Sequence, residues 1–401
     1  MRTLRALIRT LAAAGSACLF TQEALAACPS DVTTEVIPLP VYATLPNEGS
    51  TWGAMPVFLR VCPDDRRTQS IIAPSVTWND VIHVTGTFRW YEYPSDEKAL
   101  AVIASASSRI NYNFFLAWQN APLEVGTWSD DVSVRVQRSA FFRFFGLGPD
   151  TAEDAETSYT GLRAFASARR GLTVLPHLNL GATLRVEHDG VQDLGVPGLA
   201  TSPQVFPDAP GMGGATLLSQ GLDVLYDDRR GGDYAERGLR ADLGGSVVEG
   251  LAGSPTFLRA GLDVRAIVPE FDGFTGAAHL AWSWVSSGSA PFYQQSSLGG
   301  AFLLRGFTED RFIDRQAWTI ELEQRIRAFQ TEILGVVADW RVDPFVGIGQ
   351  VFGDLDSIAS RPRVTAGIGL RAFVHPNVVG RVDIAYGGEG IKAYVELGYP
   401  Y

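Results

Sequence analysis

Side chains along most of this chain alternate between polar and apolar with a period of two, over runs of ten or more residues. Only extended strands put successive side chains on opposite faces in this way. From Ala317 to Phe329, Trp318, Ile320, Leu322, Ile326 and Ala328 point one way, and Thr319, Glu321, Glu323, Arg325 and Arg327 the other. Around Phe257, Leu258, Ala260, Leu262, Val264, Ala266 and Val268 oppose Arg259, Asp263 and Arg265. Residues 131–137 set Val132, Val134 and Val136 against Asp131, Ser133, Arg135 and Gln137. A soluble sandwich alternates too, so one segment decides nothing. The sum decides: long strands, abundant glycine, aromatic residues near strand ends and an export signal together imply strands with lipid on one face and water on the other.

The export signal occupies residues 1–26, with Arg2, Arg5 and Arg9, an uncharged stretch from Thr10 to Thr21, and Ala24-Leu25-Ala26 before the cut. Leu25-Ala26-Ala27-Cys28 also reads as a lipoprotein box. No other stretch reaches the ~20 apolar residues of a membrane helix, so membrane crossing falls to strands. Residues 27–48 then read as a periplasmic or lumenal lead and 49–401 as the barrel. Cys28 and Cys62, exported to an oxidising compartment, are candidates for a disulfide. With Cys62 placed at the outer end of the first strand, that bridge requires the lead to thread the lumen as a plug.

Strands fall near 49–61, 69–79, 81–93, 98–119, 125–145, 157–170, 174–188, 213–228, 236–249, 255–269, 273–286, 315–329, 341–352, 361–374, 377–387 and 391–401. The expected fold is therefore all-β, a transmembrane antiparallel β-barrel of about 16 strands. Asn79-Asp80, the region of Gly171, Pro269-Glu270-Phe271 and His375-Pro376-Asn377 read as inner turns, and 189–212 and 287–314 as outer loops. Trp52, Trp78, Trp118, Trp128 and Trp340 then cluster at inner strand ends, and Trp90, Trp282, Trp284 and Trp318 at outer ends, as two aromatic girdles. The last segment places Val395, Leu397, Tyr399 and Tyr401 on one face and stops on its terminal aromatic, a barrel signal interrupted by Pro400.

Composition excludes several functions. A net charge of −11 leaves no basic face for phosphates, so nucleic acid is not a partner. Three cysteines and five scattered histidines show no ligand spacing, so neither metal nor cofactor is expected. No Gly-x-Ser-x-Gly elbow, Walker loop or His-Glu-x-x-His is present. His177 and His188 are the histidines on one strand that an outer-membrane hydrolase would need.

Leu304-Arg305-Gly306-Phe307, preceded by Leu298-Gly299-Gly300, resembles the loop motif of the outer-membrane assembly barrel family, the BamA and TamA relatives, also called the bacterial surface antigen family. Glu323-Gln324-Arg325 is similar to that family's Glu-x-Arg strand, Phe142 to Gly148 to its aromatic-Gly-Leu-Gly segment, and Tyr226-Asp227-Asp228-Arg229 to its periplasmic turn. The resemblance implies a sixth extracellular loop folded into the lumen, with Arg305 facing Glu321, Glu323 and Arg325. Gly347 stands where the family commonly has an Asp. Only residues 27–48 precede the first expected strand, which resembles a barrel-only branch without the POTRA modules that receive clients. The implied function is assistance in inserting or translocating protein or lipid at the bacterial outer membrane, with membrane lipids and client proteins as partners and no enzyme activity. A passive pore whose lumen charges set selectivity is the alternative reading.

Overall fold

The computed structural model describes residues 32–401 apart from 46–48, 63–67, 96, 123, 230–234, 334–335, 375–377 and 398. The signal segment and Cys28 lie outside the described residues. No described helix is long and apolar enough to cross a membrane. Among the described residues, nineteen strands form one antiparallel sheet. The first ten are β1 (Thr33–Leu45), β2 (Gly49–Val61), β3 (Thr68–Ile72), β4 (Ser75–Asn79), β5 (His83–Ser95), β6 (Lys98–Ser107), β7 (Tyr112–Asn120), β8 (Trp128–Phe144), β9 (Thr157–Leu175) and β10 (Leu178–Gln192). Then come β11 (Ala215–Asp227), β12 (Gly238–Leu251), β13 (Phe257–Phe271) and β14 (Phe274–Val285). Short strands β15 (Ser296–Leu298) and β16 (Phe312–Asp314) pair with each other inside the next connection. The sheet resumes with β17 (Gln316–Ile333), β18 (Val336–Phe352), β19 (Arg363–Val374), β20 (Val378–Tyr386) and β21 (Ile391–Leu397).

Ile320, Leu322, Val346, Leu370, Val382 and Ile384 are exposed on one face, while Glu321, Glu323, Asp343, Arg371, Arg381 and Asp383 are buried on the other. A sheet that hides its charges and shows its apolar side chains suits a lipid exterior around a polar lumen. It curls until β1 and β21 lie alongside each other. Among the described residues no ladder joins those two strands.

Prolines shape the first strands. β2 pairs Ala54 with Val76 of β4 and Phe58 with Ile72 of β3, so Pro56 stands opposite Pro74, where neither residue has an N–H to give. That double loss splits one strand into β3 and β4. Ala73 still donates to the Arg89 carbonyl of β5 at 2.9 Å across the gap.

The sheet differs from the sequence-based expectation in three ways. Residues 33–45, expected as part of a lead, form a strand paired along all of β2, from Thr33↔Val61 to Leu45↔Gly49. The expected strand 98–119 is two strands, because Ile110 takes a left-handed φ of 59° and the Ser107 amide closes a tight turn on the Asn111 carbonyl at 3.0 Å. With β3 and β4 taken as one interrupted strand, the described residues fill eighteen positions in the sheet, against the expected number of about sixteen. Two strands added ahead of it make the motif connection the seventh at its end of the barrel, although five strands still follow it.

The added strands also reverse some directions. Asn79-Asp80 lies at the same end as the long loops, not among the short turns. Trp52 and Trp78 join Trp282, Trp284 and Trp318 at that end, and Trp90 joins Trp118, Trp128 and Trp340 at the other. Cys62 follows β2 at the short-turn end. It is buried and disulfide-bonded. Since β1 begins beside Val61, a bridge from the residues before it to Cys62 needs no passage through the lumen.

Candidate functional site

The connection from β14 to β17 carries the Arg-Gly-Phe motif into the lumen. Leu304 adopts φ 54° and Gly306 φ 118°, a tight reversal that drives Arg305 inward. The left-handed Leu304 costs about 1–3 kcal/mol, and the contacts of Arg305 offset it. Arg305 is fully buried. Its Nη1 donates to Glu323 Oε2 at 2.9 Å and to Asp383 Oδ2 at 3.3 Å. Its Nε lies 3.7 Å from Glu321 Oε1, the oxygen that also accepts the Arg305 amide at 3.3 Å. The guanidinium sits 3.5 Å from the Phe345 ring centroid, a cation–π contact strengthened by desolvation.

Around this tip the strands supply a balanced lattice of charge. Glu323 also accepts from Arg325 Nε at 3.1 Å and Arg371 Nη2 at 3.4 Å. Arg371 Nη1 donates to Asp383 Oδ1 at 2.6 Å, and its Nε is 3.2 Å from Asp343. Arg381 lies 3.7 Å from Asp383. Four arginines thus face four carboxylates, a condition for burying so many ions. Period-two geometry makes it possible: Glu321, Glu323 and Arg325 follow one another on the inner face of β17, as do Arg381 and Asp383 on β20.

Sequence reasoning placed Glu321, Glu323 and Arg325 beside Arg305 and missed its third carboxylate, Asp383. Gly347, the position at which the resemblance calls for an acid, instead leaves room for its neighbours. A Cβ there would stand 2.8 Å from Thr365 Oγ1 and 3.2 Å from Glu321 Cγ. The signal for Asp383 was available in the alternation Arg381, Asp383, Ala385 against Val382, Ile384, Tyr386.

The loop also grips the hairpin of β20 and β21. The Tyr394 hydroxyl accepts the Gly306 amide at 2.9 Å and donates to the Phe307 carbonyl at 2.8 Å. A Cβ on Gly387 would stand 2.5 Å from the Phe307 ring, so this turn lies flat beneath it. Toward the long-loop end, Arg311 holds Glu389 through Nε at 2.7 Å and Nη2 at 2.8 Å. Arg311 also donates to the hydroxyl and carbonyl of Thr151, both at 2.7 Å, and its guanidinium lies 4.6 Å from the ring centroids of Phe145 and Phe312. The Phe142–Gly148 segment docks here, with the Gly148 amide on the Ile313 carbonyl at 2.7 Å.

The C-terminal residues depart from their expected place. The ladder with β20 ends at Leu397, and Val395 stays in it. Tyr399 and Tyr401 turn inward and are buried. Arg325 lies 4.0 Å from the Tyr399 ring centroid and donates to the Tyr401 carbonyl at 3.1 Å, while the Tyr401 ring is 4.9 Å from His279. A cluster of arginine donors in the lumen thus outcompeted the lipid face for both tyrosines. At the short-turn end, Asp228 accepts the Leu239 amide at 2.6 Å and the Tyr226 hydroxyl at 3.0 Å. The Leu239 amide, the stronger influence, holds the Asp228 carboxyl below its usual range. His177 lies in the turn before β10, while His188 sits within that strand bonded to Thr216 Oγ1 at 2.9 Å. Eleven residues of strand separate them by roughly 35 Å, too far for one catalytic group.

A family model, the Omp85 superfamily domain, matches residues 99–389. The chain belongs to the Omp85 superfamily. Among solved structures, a Haemophilus ducreyi BamA lacking POTRA domains 1–3 superposes with a TM-score of 0.55 at 15% identity, covering 90% of this chain and 74% of that one. CdiB from Acinetobacter baumannii gives 0.49 at 12% identity over 90% of this chain and 58% of that one. CdiB from Escherichia coli gives 0.49 at 12% over 92% and 67%. No curated protein matches the chain in sequence. The BamA likeness carries the fold, a large antiparallel barrel.

Proposed function

We propose that this Omp85 barrel resides in the bacterial outer membrane and assists insertion or translocation of client proteins through the junction between β1 and β21. The observation that carries the reading is the pairing of two features. The junction has no ladder among the described residues, and the hairpin bearing β21 is bound to the motif loop through Asp383, Tyr394 and Glu389. A barrel built only to enclose a pore gains from a sealed ring, since an unpaired edge in lipid is costly. An unsealed ring makes sense where the wall must admit a strand. The band of exposed apolar side chains on the outer face meets the membrane lipids. The lumen at the level of Arg305 is filled by the loop and Tyr401, which argues against an open pore.

Depletion followed by quantitative proteomics of the outer membrane tests the proposal. Selective loss of a set of membrane or secreted proteins, with the lipid composition kept, supports it. An unchanged proteome together with a lost ionic conductance would replace it with the pore reading.

A further inference from the structure

On the lumen wall beside the motif loop, β10 to β14 line a cavity of about 460 Å3. Its floor is Gly244 and Gly261, opposite each other in the ladder of β12 and β13. Leu243 and Val247 are exposed on the outer face, which sets Gly244 and Gly261 on the inner one. A glycine inside a strand costs about 0.5–1 kcal/mol against alanine, so a pair of them calls for a reason. Backbone conformation is not one, since neither has a positive φ. Packing is not one either. A Cβ on Gly244 would meet Asp223 Cβ at 3.6 Å, and one on Gly261 the Trp282 carbonyl at 3.4 Å, with no loop atom within 4 Å of either. Bare backbone in a strand also serves where another group approaches it closely, and the space above these two glycines belongs to the cavity.

The two ends of the cavity differ in charge. At one end Arg259 donates to the neutral Gln294 at 3.2 Å, and among the described residues no carboxylate pairs with it. Arg185 holds Glu187 through Nε at 2.8 Å and Nη2 at 2.7 Å, which leaves its Nη1 for the cavity. Ser219, opposite Arg185 in the ladder, is 4% exposed, and its hydroxyl has no partner. At the other end Asp223 and Asp263 are taken by Arg169 and Arg265, whereas Asp242 has Arg240 at 3.8 Å and keeps oxygens that can accept. We propose that this cavity is a binding site for a sugar phosphate, with the phosphate on Arg259, Arg185 Nη1 and the Ser219 hydroxyl. One face of the sugar ring lies flat on Gly244 and Gly261, and ring hydroxyls donate to Asp242. A guanidinium fork matches an oxyanion, the cavity has the size of a small-ligand site, and a strand pair without side chains offers the flat surface. The site does not depend on client handling, since its ligand is a small solute.

The test is equilibrium dialysis of the whole chain, folded in detergent, against labelled glucose 1-phosphate at fixed ionic strength. One molecule per chain should bind saturably. Inorganic phosphate and glucose each lack one half of the recognition and should displace it only at concentrations at least about tenfold higher, the equivalent of one contact of ~1.4 kcal/mol. Arg259→Gln should weaken binding at least about tenfold, as loss of a charge-assisted bond does. Arg170→Gln, on the outer face with its side chain 63% exposed, should leave binding unchanged. Gly244→Val should abolish binding by filling the floor while the barrel still folds, because valine is at home in a strand. Absence of saturable binding overturns the inference, as does displacement by inorganic phosphate at the same concentration as by unlabelled glucose 1-phosphate. Wild-type affinity in folded Arg259→Gln or Gly244→Val, or equal weakening by Arg170→Gln, also overturns it. Should Arg259→Gln not fold, since Arg259 also seats Gln294 of the loop, the competition arms and Gly244→Val still decide.

Discussion

Replacing Arg305 by alanine leaves a specific carboxylate stranded, and the geometry says which one. Glu323 keeps Arg325 and Arg371, and Asp383 keeps Arg371 and Arg381. Glu321 is fully buried, and its ion pair in the lattice is with Arg305. Removing one partner of a buried ion pair costs on the order of 3–5 kcal/mol. Taking the lower end, because the pair is 3.7 Å long and Glu321 keeps the backbone amide of residue 305, about 3 kcal/mol corresponds to roughly a hundredfold more loop opening. Limited proteolysis within residues 287–314 of the folded protein in detergent reads that opening when reclosure outpaces cleavage. Arg305→Ala should therefore be cut about a hundredfold faster. Glu321→Gln placed on top should recover a large part of the loss, since it removes the stranded charge, whereas Glu323→Gln on the same background should recover none. Cleavage of Arg305→Ala within twofold of wild type, or rescue by Glu323→Gln rather than Glu321→Gln, refutes this account.

Other outcomes follow from the same contacts. Tyr394→Phe removes the hydroxyl between the Gly306 amide and the Phe307 carbonyl and should cost about 1–3 kcal/mol of loop stability, read as faster loop proteolysis with an unchanged strand signal in circular dichroism. Arg311→Met should loosen three segments together, so that cleavage rises within 145–156 and 286–315 and in the 387–390 turn, while Glu389→Gln gives a weaker form. The folded barrel should migrate anomalously on unheated SDS gels, and a helix-dominated spectrum in detergent would contradict the fold. Asp228 is held below its ordinary value, so its bond to the Leu239 amide is complete above the usual carboxylate range and lost as pH falls through the lowered one. Exchange at Leu239 should accelerate on acidification, and Asp228→Asn should flatten that dependence.

Much of the fold was legible because the lipid face and the lumen face of a strand demand opposite chemistry, and β17 displays both without interruption. The start of the sheet was not, because Pro38 and Pro40 are out of keeping with a strand inside a sheet, whereas here they sit in its first strand. The 108–111 turn hid for a related reason: Ser108-Arg109-Ile110-Asn111 contains no glycine or proline to announce it. In the site, the motif and the carboxylates of β17 were visible as one stretch of chain. Asp383, Tyr394 and Glu389 are 78 or more residues away from their partners in the loop, a distance at which alternation states the face of a residue but not its neighbour. The inward turn of Tyr399 and Tyr401 was hidden because period two predicts their face only while the strand continues, and the ladder stops at Leu397.

The strand order has a further consequence for how the barrel forms. Among the described residues the ladders of this sheet join strands that follow one another along the chain, with β3 and β4 counted as one and the β15–β16 pair set aside, so the sheet can grow hairpin by hairpin with little loop-closure entropy to overcome at each step. The one step that must bring distant parts of the chain together, the meeting of β1 with β21, has no ladder among the described residues to reward it. The distant bonds come from inside: Arg311 reaches Thr151 across 160 residues and Arg305 reaches Asp383 across 78. The roundness of this barrel is held less by its hoop than by its spokes. Folding should accordingly end with the setting of the lumen arginines, and a barrel deprived of them should keep its secondary structure while losing its cross-section.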